Sequence, residues 1–486
     1  MASVHAVWIG AGVIVLWGVW AALFNTAQFG DNVEQFNWAQ SLELGYHKHP
    51  PLPSWALAAV IRLFGPSIYW AYALATLCLL GTLTLTWLIG RELLGAPVAA
   101  AAIVLWGLNL SFSQRVQLYN HNTVLVLFIA ATVWCAMRTV RARSPTFWWI
   151  ATGCAAAAAV LSKYQAIVPL AALPFALART GGLNRPAQLR GLALALSMLL
   201  LLCAPHALWV ARHDFSTLRY ASEAVEPSDL LRRLGCLVAF AANQLRLAFP
   251  ALLTIALCWA WARAAPAAPG TVAAAEGVPA AQVRAWFGAL IGAPLIVLVV
   301  MALAGGVSLR NHWGVQALQF LPLWLAACWQ RRAAIDLRRL VWVALIVQGL
   351  GLISYAVEHE DLNRVLSARR IDTMYPAKRL AHAAVAHWAD STHCPLRFVA
   401  GSVLDAGLVA LYSGGRLEVF DTASATPWVR LDDLQQRGVL YVLDEGEALP
   451  EGVTRVVPFE LTAGPHPGRA TRTIRLGVLM PLRPCG

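Results

Sequence analysis

The chain has 486 residues, 59% of them hydrophobic and only 13% charged, with a mean hydropathy of +0.60. Soluble domains carry about 25% charged residues, so this composition excludes a soluble globular chain and indicates a membrane protein. The net charge of +12 resides in the first 356 residues, because residues 357–486 hold 14 Lys and Arg against 15 Asp and Glu. Basic residues in short loops between apolar runs report topology, and no nucleic-acid partner is expected.

The opening stretch resembles a secretory signal. It lacks a convincing small-residue cleavage site and further spans follow, so residues 6–24 are expected to form the first membrane helix. Ten more apolar runs lie near 68–90, 97–112, 121–137, 147–160, 164–179, 189–211, 240–262, 285–304, 315–329 and 340–356. A membrane helix needs roughly 20 apolar residues, and the runs 147–160, 164–179 and 315–329 fall short of it. Many of the 21 Trp stand near the ends of these runs, where amphipathic rings favour the bilayer interface. With the N-terminus in the cytoplasm, inside loops hold 13 Lys and Arg in 65 residues and outside loops 9 in 96, as the positive-inside rule requires. Eleven spans then divide the chain into a membrane domain, 1–356, and a soluble domain, 357–486, on the periplasmic face of a bacterial inner membrane.

The outside loops carry the chemical complexity. Loop 25–67 contains Asp31, Glu34, Glu43, His47, Lys48 and His49, and its stretch Trp55 to Phe64 is amphipathic enough to lie along a membrane surface. Loop 212–239 is polar and charged, whereas 261–284 on the inside is rich in Ala, Pro and Gly and reads as a connector. The tail opens with a helical pattern, Pro376 to Ala389. Strand-like runs follow at Leu396–Ala400, Leu408–Tyr412, Leu417–Val419, Val439–Leu443, Val453–Pro458 and Thr471–Val478, which predicts a small α+β domain. Of nine Cys, seven lie in or beside apolar segments. Cys394 and Cys485 stand in the tail, where a periplasmic location would permit a disulfide between them; two free thiols account for the sequence equally well.

Six constellations are candidates for chemistry. Asp31 and Glu34 follow the first span; carboxylates at a membrane boundary are costly unless solvated or paired, though an ordinary loop aspartate also fits. Tyr46, His47, Lys48 and His49 gather donors and a cation ahead of the stiff Pro50-Pro51 pair, which could equally be a rigid turn. Lys163, with Tyr164, occupies a very short outside hairpin, where it would either snorkel or hold a phosphate as a point charge. Arg310 and His312 flank Trp313 as further phosphate or sugar contacts, or as polar neighbours of an aromatic belt. Arg115, Asn120, His121 and Asn122 precede a span, and helix capping by Asn explains them well. Gln244 and Arg246 sit near the outer end of the eighth span. No metal-ligand spacing, P-loop or G-x-G-x-x-G fingerprint occurs, so no metal site and no cofactor are expected, and a lipid-carried donor is favoured over a nucleotide-sugar.

Taken together, Asp31, the run His47 to Leu52 ending in Pro-Pro-Leu, Ser162-Lys163-Tyr164, and the tail segments Tyr375–Lys378 and Pro395–Gly401 resemble the C-type glycosyltransferase superfamily. They are most similar to bacterial relatives of dolichyl-phosphate-mannose protein mannosyltransferase and of the lipid A aminoarabinose transferase. Two departures stand out: Asp31-Asn32 replaces the Asp-Glu of many members, and Asn120-His121-Asn122 occupies a place where some carry a second carboxylate.

The resemblance implies an all-α polytopic membrane domain with a small periplasmic domain. It also implies transfer of a sugar from a polyprenyl phosphate, held among membrane lipids, to a lipid or glycan acceptor such as lipid A, another envelope glycan or a protein. Asp31 is then the general base. Glu34, Tyr46, Lys48, His49, Arg115, Asn120, His121, Lys163, Tyr164, Gln244, Arg310 and His312 are the substrate contacts, and inversion at the anomeric carbon is expected by analogy. A transporter of a lipid-linked intermediate is the main rival. It is disfavoured because no internal repeat is visible and the polar residues cluster in loops rather than mid-span. A non-enzymatic assembly protein would leave Asp31, the His47–Leu52 run and Lys163 unexplained.

Overall fold

Helices dominate the chain as far as residue 359. The computed structural model describes residues 2–113, 117–222, 229–264, 280–331, 335–359, 366–367, 373–422, 426–463 and 468–482. In chain order it forms α1 (Ala2–Phe24), α2 (Gly30–Trp38), α3 (Leu52–Phe64), α4 (Tyr69–Leu94), α5 (Ala96–Leu108), α6 (His121–Arg141), α7 (Pro145–Ser162) and α8 (Ile167–Arg179). Then come α9 (Pro186–Arg212), α10 (Ser216–Ser222), α11 (Leu230–Ala264), α12 (Ala280–Phe287), α13 (Ala293–Leu303), α14 (Trp313–Ala317), α15 (Leu321–Gln330) and α16 (Leu337–His359).

Among the described residues eight helices are long and apolar enough to cross a membrane: α1, α4, α6, α7, α9, α11, the α12–α13 pair joined by a π turn at Gly288–Gly292, and α16. They coincide with eight of the eleven expected spans. The other three regions form shorter helices. At about 1.5 Å per residue, the 13 residues of α5 reach only about 20 Å, against a hydrocarbon core of about 30 Å. Every residue of α5 from Val98 to Leu108 is buried, so it is a piece of protein core and not a lipid-facing span. Leu125, Ile129 and Val133 of α6, together with Leu323 and Ala326 of α15, belong to the same core.

Small residues let the helices approach closely, as membrane bundles require. A side chain at Gly153 of α7 would come within 2.7 Å of Met198 on α9, and one at Gly191 would collide with the buried Trp149. At one end of the bundle Glu92 pairs with Arg138 (3.2 Å) and Arg141 (3.1 Å). At the other end Asn25 donates to Tyr72 Oη (3.2 Å) and Gln117 Oε1 (3.0 Å), which ties the first long loop to the second.

The C-terminal part is α+β, built from α17 (Ala377–Ser391), β1 (Phe398–Gly401), α18 (Val403–Tyr412), β2 (Glu418–Asp421), α19 (Leu431–Arg437), β3 (Val439–Asp444), β4 (Val453–Thr462) and β5 (Thr471–Leu479). The sheet order is β2-β1-β3-β5-β4. Strands β2, β1 and β3 run parallel, with α18 as the β1–β2 crossover, and β5 and β4 close the sheet antiparallel. One expected strand is corrected, since Leu408–Tyr412 lies in α18. A short apolar run suits either state by pattern alone. Here Ser402 Oγ accepts from Asp405 N (3.1 Å) and caps a helix that the parallel crossover demands. Inside the domain Arg472, 4% exposed, forks onto Asp405 (2.9 and 3.1 Å) and also reaches Asp444 (3.1 Å) and Tyr375 Oη (2.9 Å).

This domain and the first loop pack directly on each other. Thr26 N and Ala27 N donate to Thr373 O (2.8 and 2.9 Å), Asn37 Nδ2 donates to Val403 O (2.7 Å), and Val419 N donates to Gln40 Oε1 (3.1 Å). Helix α18 approaches α2 so closely at Gly407 that a Cβ there would strike Val33 and sit 2.7 Å from Asn37 Nδ2. Cys394 is disulfide-bonded, seven other cysteines are free, and Cys485 lies outside the described residues.

Candidate active site

The site is organised by the start of α6. Three consecutive residues there each hold one element of it. Asn120 is the N-cap: its Oδ1 accepts from Asn122 N (2.9 Å) and Thr123 N (3.1 Å), while its Nδ2 donates to Asp31 Oδ2 (2.7 Å). His121 packs against His49, ring centroids 4.0 Å apart and the rings tilted by 44°. Asn122 Oδ1 accepts from Lys163 Nζ (2.9 Å). Capping and function are therefore both served by Asn120, through opposite ends of one amide.

Asp31 lies in the exposed first turn of α2, where a carboxylate is favoured by the helix dipole. Behind it, Gln28, Asn32 and Gln35 are all 0% exposed. Asn32 accepts from Tyr119 N (2.8 Å) and donates to Gln117 O (2.8 Å) and Gln28 Oε1 (2.6 Å), so it fastens α2 to the loop before α6. A glutamate in its place would have no N–H to give Gln117. Gln35 donates to His121 Nε2 (3.4 Å) and thereby makes that nitrogen an acceptor, while Ser54 Oγ donates to Gln35 Oε1 (2.8 Å).

Lys163 is only 7% exposed, in extended backbone between α7 and the 3-10 turn Tyr164–Ala166. Lys48 Nζ pairs with Glu34 Oε1 at 2.7 Å and lies 5.8 Å from the centre of the Tyr220 ring. Burial raises the Glu34 carboxyl above its ordinary value although Lys48 counteracts it. Burial by itself would depress the Lys48 ammonium, but the Glu34 carboxylate overcomes this and raises it. Burial, reinforced by His121, Lys163, Lys48 and His312, pushes His49 well below the usual imidazole range, so its ring is neutral. His47 is lowered to about 4, by burial first and by Lys48 second.

The remaining sequence candidates divide. Tyr46 shapes the loop by donating to Trp38 O (2.9 Å) and Ser41 O (2.7 Å), and its ring stacks on Trp38. Tyr164 Oη lies 2.7 Å from His206 Nε2, and His206 Nδ1 donates to Leu44 O (2.6 Å), so Tyr164 supports the long loop from behind. Gln244 donates to Asn311 O (2.9 Å) and packs on Gly314, bracing the turn that carries Arg310 and His312. Arg310 is exposed on that turn. Arg115 lies outside the described residues. Sequence reasoning missed Tyr220, 5.6 Å from the His49 ring, and Trp38, whose indole touches Tyr46, His47, His49 and His121. It also missed the buried amides in and just before α2. Their signal was present, because Gln28, Asn32 and Gln35 recur at helical spacing.

An exposed carboxylate, Asp31, and a buried lysine, Lys163, are thus both tied to the start of α6. The chain is similar in sequence and fold to C-type glycosyltransferases. Residues 48–209 match the dolichyl-phosphate-mannose-protein mannosyltransferase family. The chain is 25% identical over 253 residues to the lipid A galacturonosyltransferase RgtD of Rhizobium johnstonii, covering 50% of this chain and 51% of that one. It is 27% identical over 315 residues to the lipopolysaccharide core galacturonosyltransferase RgtA of the same organism, covering 63% and 60%. It thus spans between half and two thirds of the length of these relatives. The fold matches that of ArnT from Cupriavidus metallidurans, solved bound to undecaprenyl phosphate, with a TM-score of 0.56 at 13% identity over 96% of this chain and 97% of ArnT. The apo form of ArnT matches equally, with a TM-score of 0.56.

Proposed function

We propose that this chain is a glycosyltransferase that moves a sugar from a polyprenyl phosphate, undecaprenyl phosphate being the bacterial form, to lipid A, the lipopolysaccharide core or another envelope acceptor. The carrying observation is that Asn120, His121 and Asn122 bring Asp31, His49 and Lys163 into one site. The relatives RgtD and RgtA support lipid A and core acceptors and make a galacturonosyl donor the first to try.

In this reading the acceptor hydroxyl attacks the anomeric carbon and gives its proton to Asp31 as the new glycosidic bond forms. The bond from that carbon to the phosphate oxygen breaks, and polyprenyl phosphate leaves with the electron pair. A phosphate needs positive charge more than a proton as it departs, and Lys163, Lys48, Arg310 and His312 are the proposed sources of it. Attack opposite the leaving phosphate inverts the anomeric centre. The domain 357–486 and the site lie on the periplasmic face and the N-terminus in the cytoplasm, consistent with Arg138, Arg141 and Glu92 clustering at the opposite end of the bundle.

The test is transfer of radiolabelled sugar from a panel of undecaprenyl-phosphate sugars to total envelope material, wild type against Asp31→Asn. Label that enters one envelope fraction and disappears in the variant supports the reading. A folded wild type that transfers nothing across the panel brings the transporter reading forward.

A further inference from the structure

Residues 117–120 lead into α6 and are fastened from several sides. The Gln117 amide donates to Tyr355 Oη of α16 and accepts from Asn25 Nδ2, just beyond α1 (3.0 Å). Tyr119 Oη donates to Pro53 O in α3 (2.8 Å), and Thr123 Oγ1 donates back to Leu118 O (2.6 Å). The four residues are between 1% and 8% exposed, so side-chain bonds hold this short segment as a block inside the protein.

Helix α2 meets that block through two consecutive residues. Neighbours on a helix point about 100° apart. Here Asn32 faces inward, 0% exposed, while Asp31 faces out. Both nevertheless end on the same segment. The Asn32 amide bonds its backbone at Gln117 O and Tyr119 N (each 2.8 Å), and Asp31 Oδ2 accepts from the side-chain amide of Asn120 (2.7 Å). The second hydrogen of Asn32 Nδ2 goes to Gln28 Oε1 (2.6 Å), and Gln28 in turn donates to Ile68 O (2.9 Å). Both hydrogens of the Asn32 amide are thus used and its oxygen meets an N–H, so only one orientation satisfies it. A carboxylate there would face two carbonyl oxygens. Alanine would leave Tyr119 N and Gln117 O buried without these partners.

We propose that Asn32 is a positioning residue for Asp31. It registers α2 against residues 117–120 and so brings the carboxylate to where Asn120 holds it and an acceptor hydroxyl meets it. The inference rests on the transfer reading above. It divides the work between two amides: Asn32 sets where the helix lies, and Asn120 sets how the carboxylate points.

The test is a double-mutant cycle in the purified full chain, with Asn32→Ala, Asn120→Ala and the two combined. Asn32→Ser takes the place of the alanine variant should that one not fold. Donors are the same panel of undecaprenyl-phosphate sugars, and the acceptor is lipid A with its core. Turnover per folded molecule and both KM values are measured, and amide hydrogen exchange over residues 117–123 is read on the same samples. Asn32→Ala is expected to lower kcat about 10- to 100-fold, the cost of misplacing a reacting group by about 1 Å, with both KM values within about twofold of wild type. Exchange over 117–123 should quicken, and the combined variant should lose less than the product of the two single losses. A folded Asn32 variant with wild-type kcat, losses that multiply, or KM values that rise as kcat falls overturns the positioning role and leaves the transfer reading standing. Exchange that depends on Asn32 in a chain that transfers from no donor overturns the transfer reading and, with it, the catalytic meaning of the contact. No transfer and no such dependence overturns both.

Discussion

Asn120 holds Asp31 with its amide nitrogen at 2.7 Å and caps α6 with its amide oxygen. The proposed base therefore takes its orientation from a helix start some ninety residues later in the chain. Asp31→Asn is expected to lower turnover by about 10²- to 10⁴-fold with melting unchanged, the range for a lost general base. Asn120→Ala removes both functions, costing about 1 kcal/mol of capping together with a fall in turnover. Asn120→Asp separates them: the cap survives, but a second carboxylate beside Asp31 makes the pair harder to ionise. The pH–rate profile of that variant should move to higher pH, and an unmoved profile would show that Asp31 is not the titrating base.

Lys163 is buried and given one amide oxygen by Asn122. Its role is predicted to be phosphate binding. Lys163→Met should raise the donor KM at least tenfold and leave the acceptor KM alone. Lys163→Arg should not rescue it, because a planar guanidinium does not fit a slot shaped for a compact ammonium. Equal changes in both KM values would mean that the lysine only supports the fold.

His47 supplies a pH prediction. Its folded value is lowered to about 4 by burial, while an unfolded imidazole titrates near 6.5. Between those values the unfolded chain binds the extra proton and the folded chain does not. Stability contributed by the neutral ring is thus complete above about pH 6.5, falls as pH drops toward 4, and changes no further below that. Melting followed from pH 7 to pH 4 should decline, and more shallowly in His47→Asn.

Arg472 anchors Asp405, Asp444 and Tyr375 within the C-terminal domain. Arg472→Met leaves the 6%-exposed Asp405 without its partner and should cost about 3–5 kcal/mol, seen as early proteolysis of this domain. Gly407→Val acts differently. It adds bulk where α18 meets Val33 and Asn37, so it should lower turnover by displacing α2 while the domain itself stays folded.

Much of this was legible beforehand, for identifiable reasons. Long apolar runs declare membrane helices, and eight of them did. The 13-residue α5 is the less legible case, because hydropathy does not distinguish a segment facing lipid from one enclosed by other helices. Asp31 and Lys163 were readable as charges where charge is costly. Tyr220 was not, because nothing local marks it: it reaches His49 from the segment after α9. Leu408–Tyr412 was misread because a ten-residue apolar helix and a buried strand look alike until a neighbouring strand fixes the crossover.

The contact between Asn37 and Val403 spans 366 residues. On a growing chain the helix that bears Asp31 is made well before the surface it leans on. Until β1, α18 and β2 have folded, Val33 lies open and the amide of Asn37 lacks its carbonyl. Every earlier stage of synthesis therefore carries the proposed base without the support that aims it, and the nascent protein acquires that support only when the domain bearing β1, α18 and β2 closes.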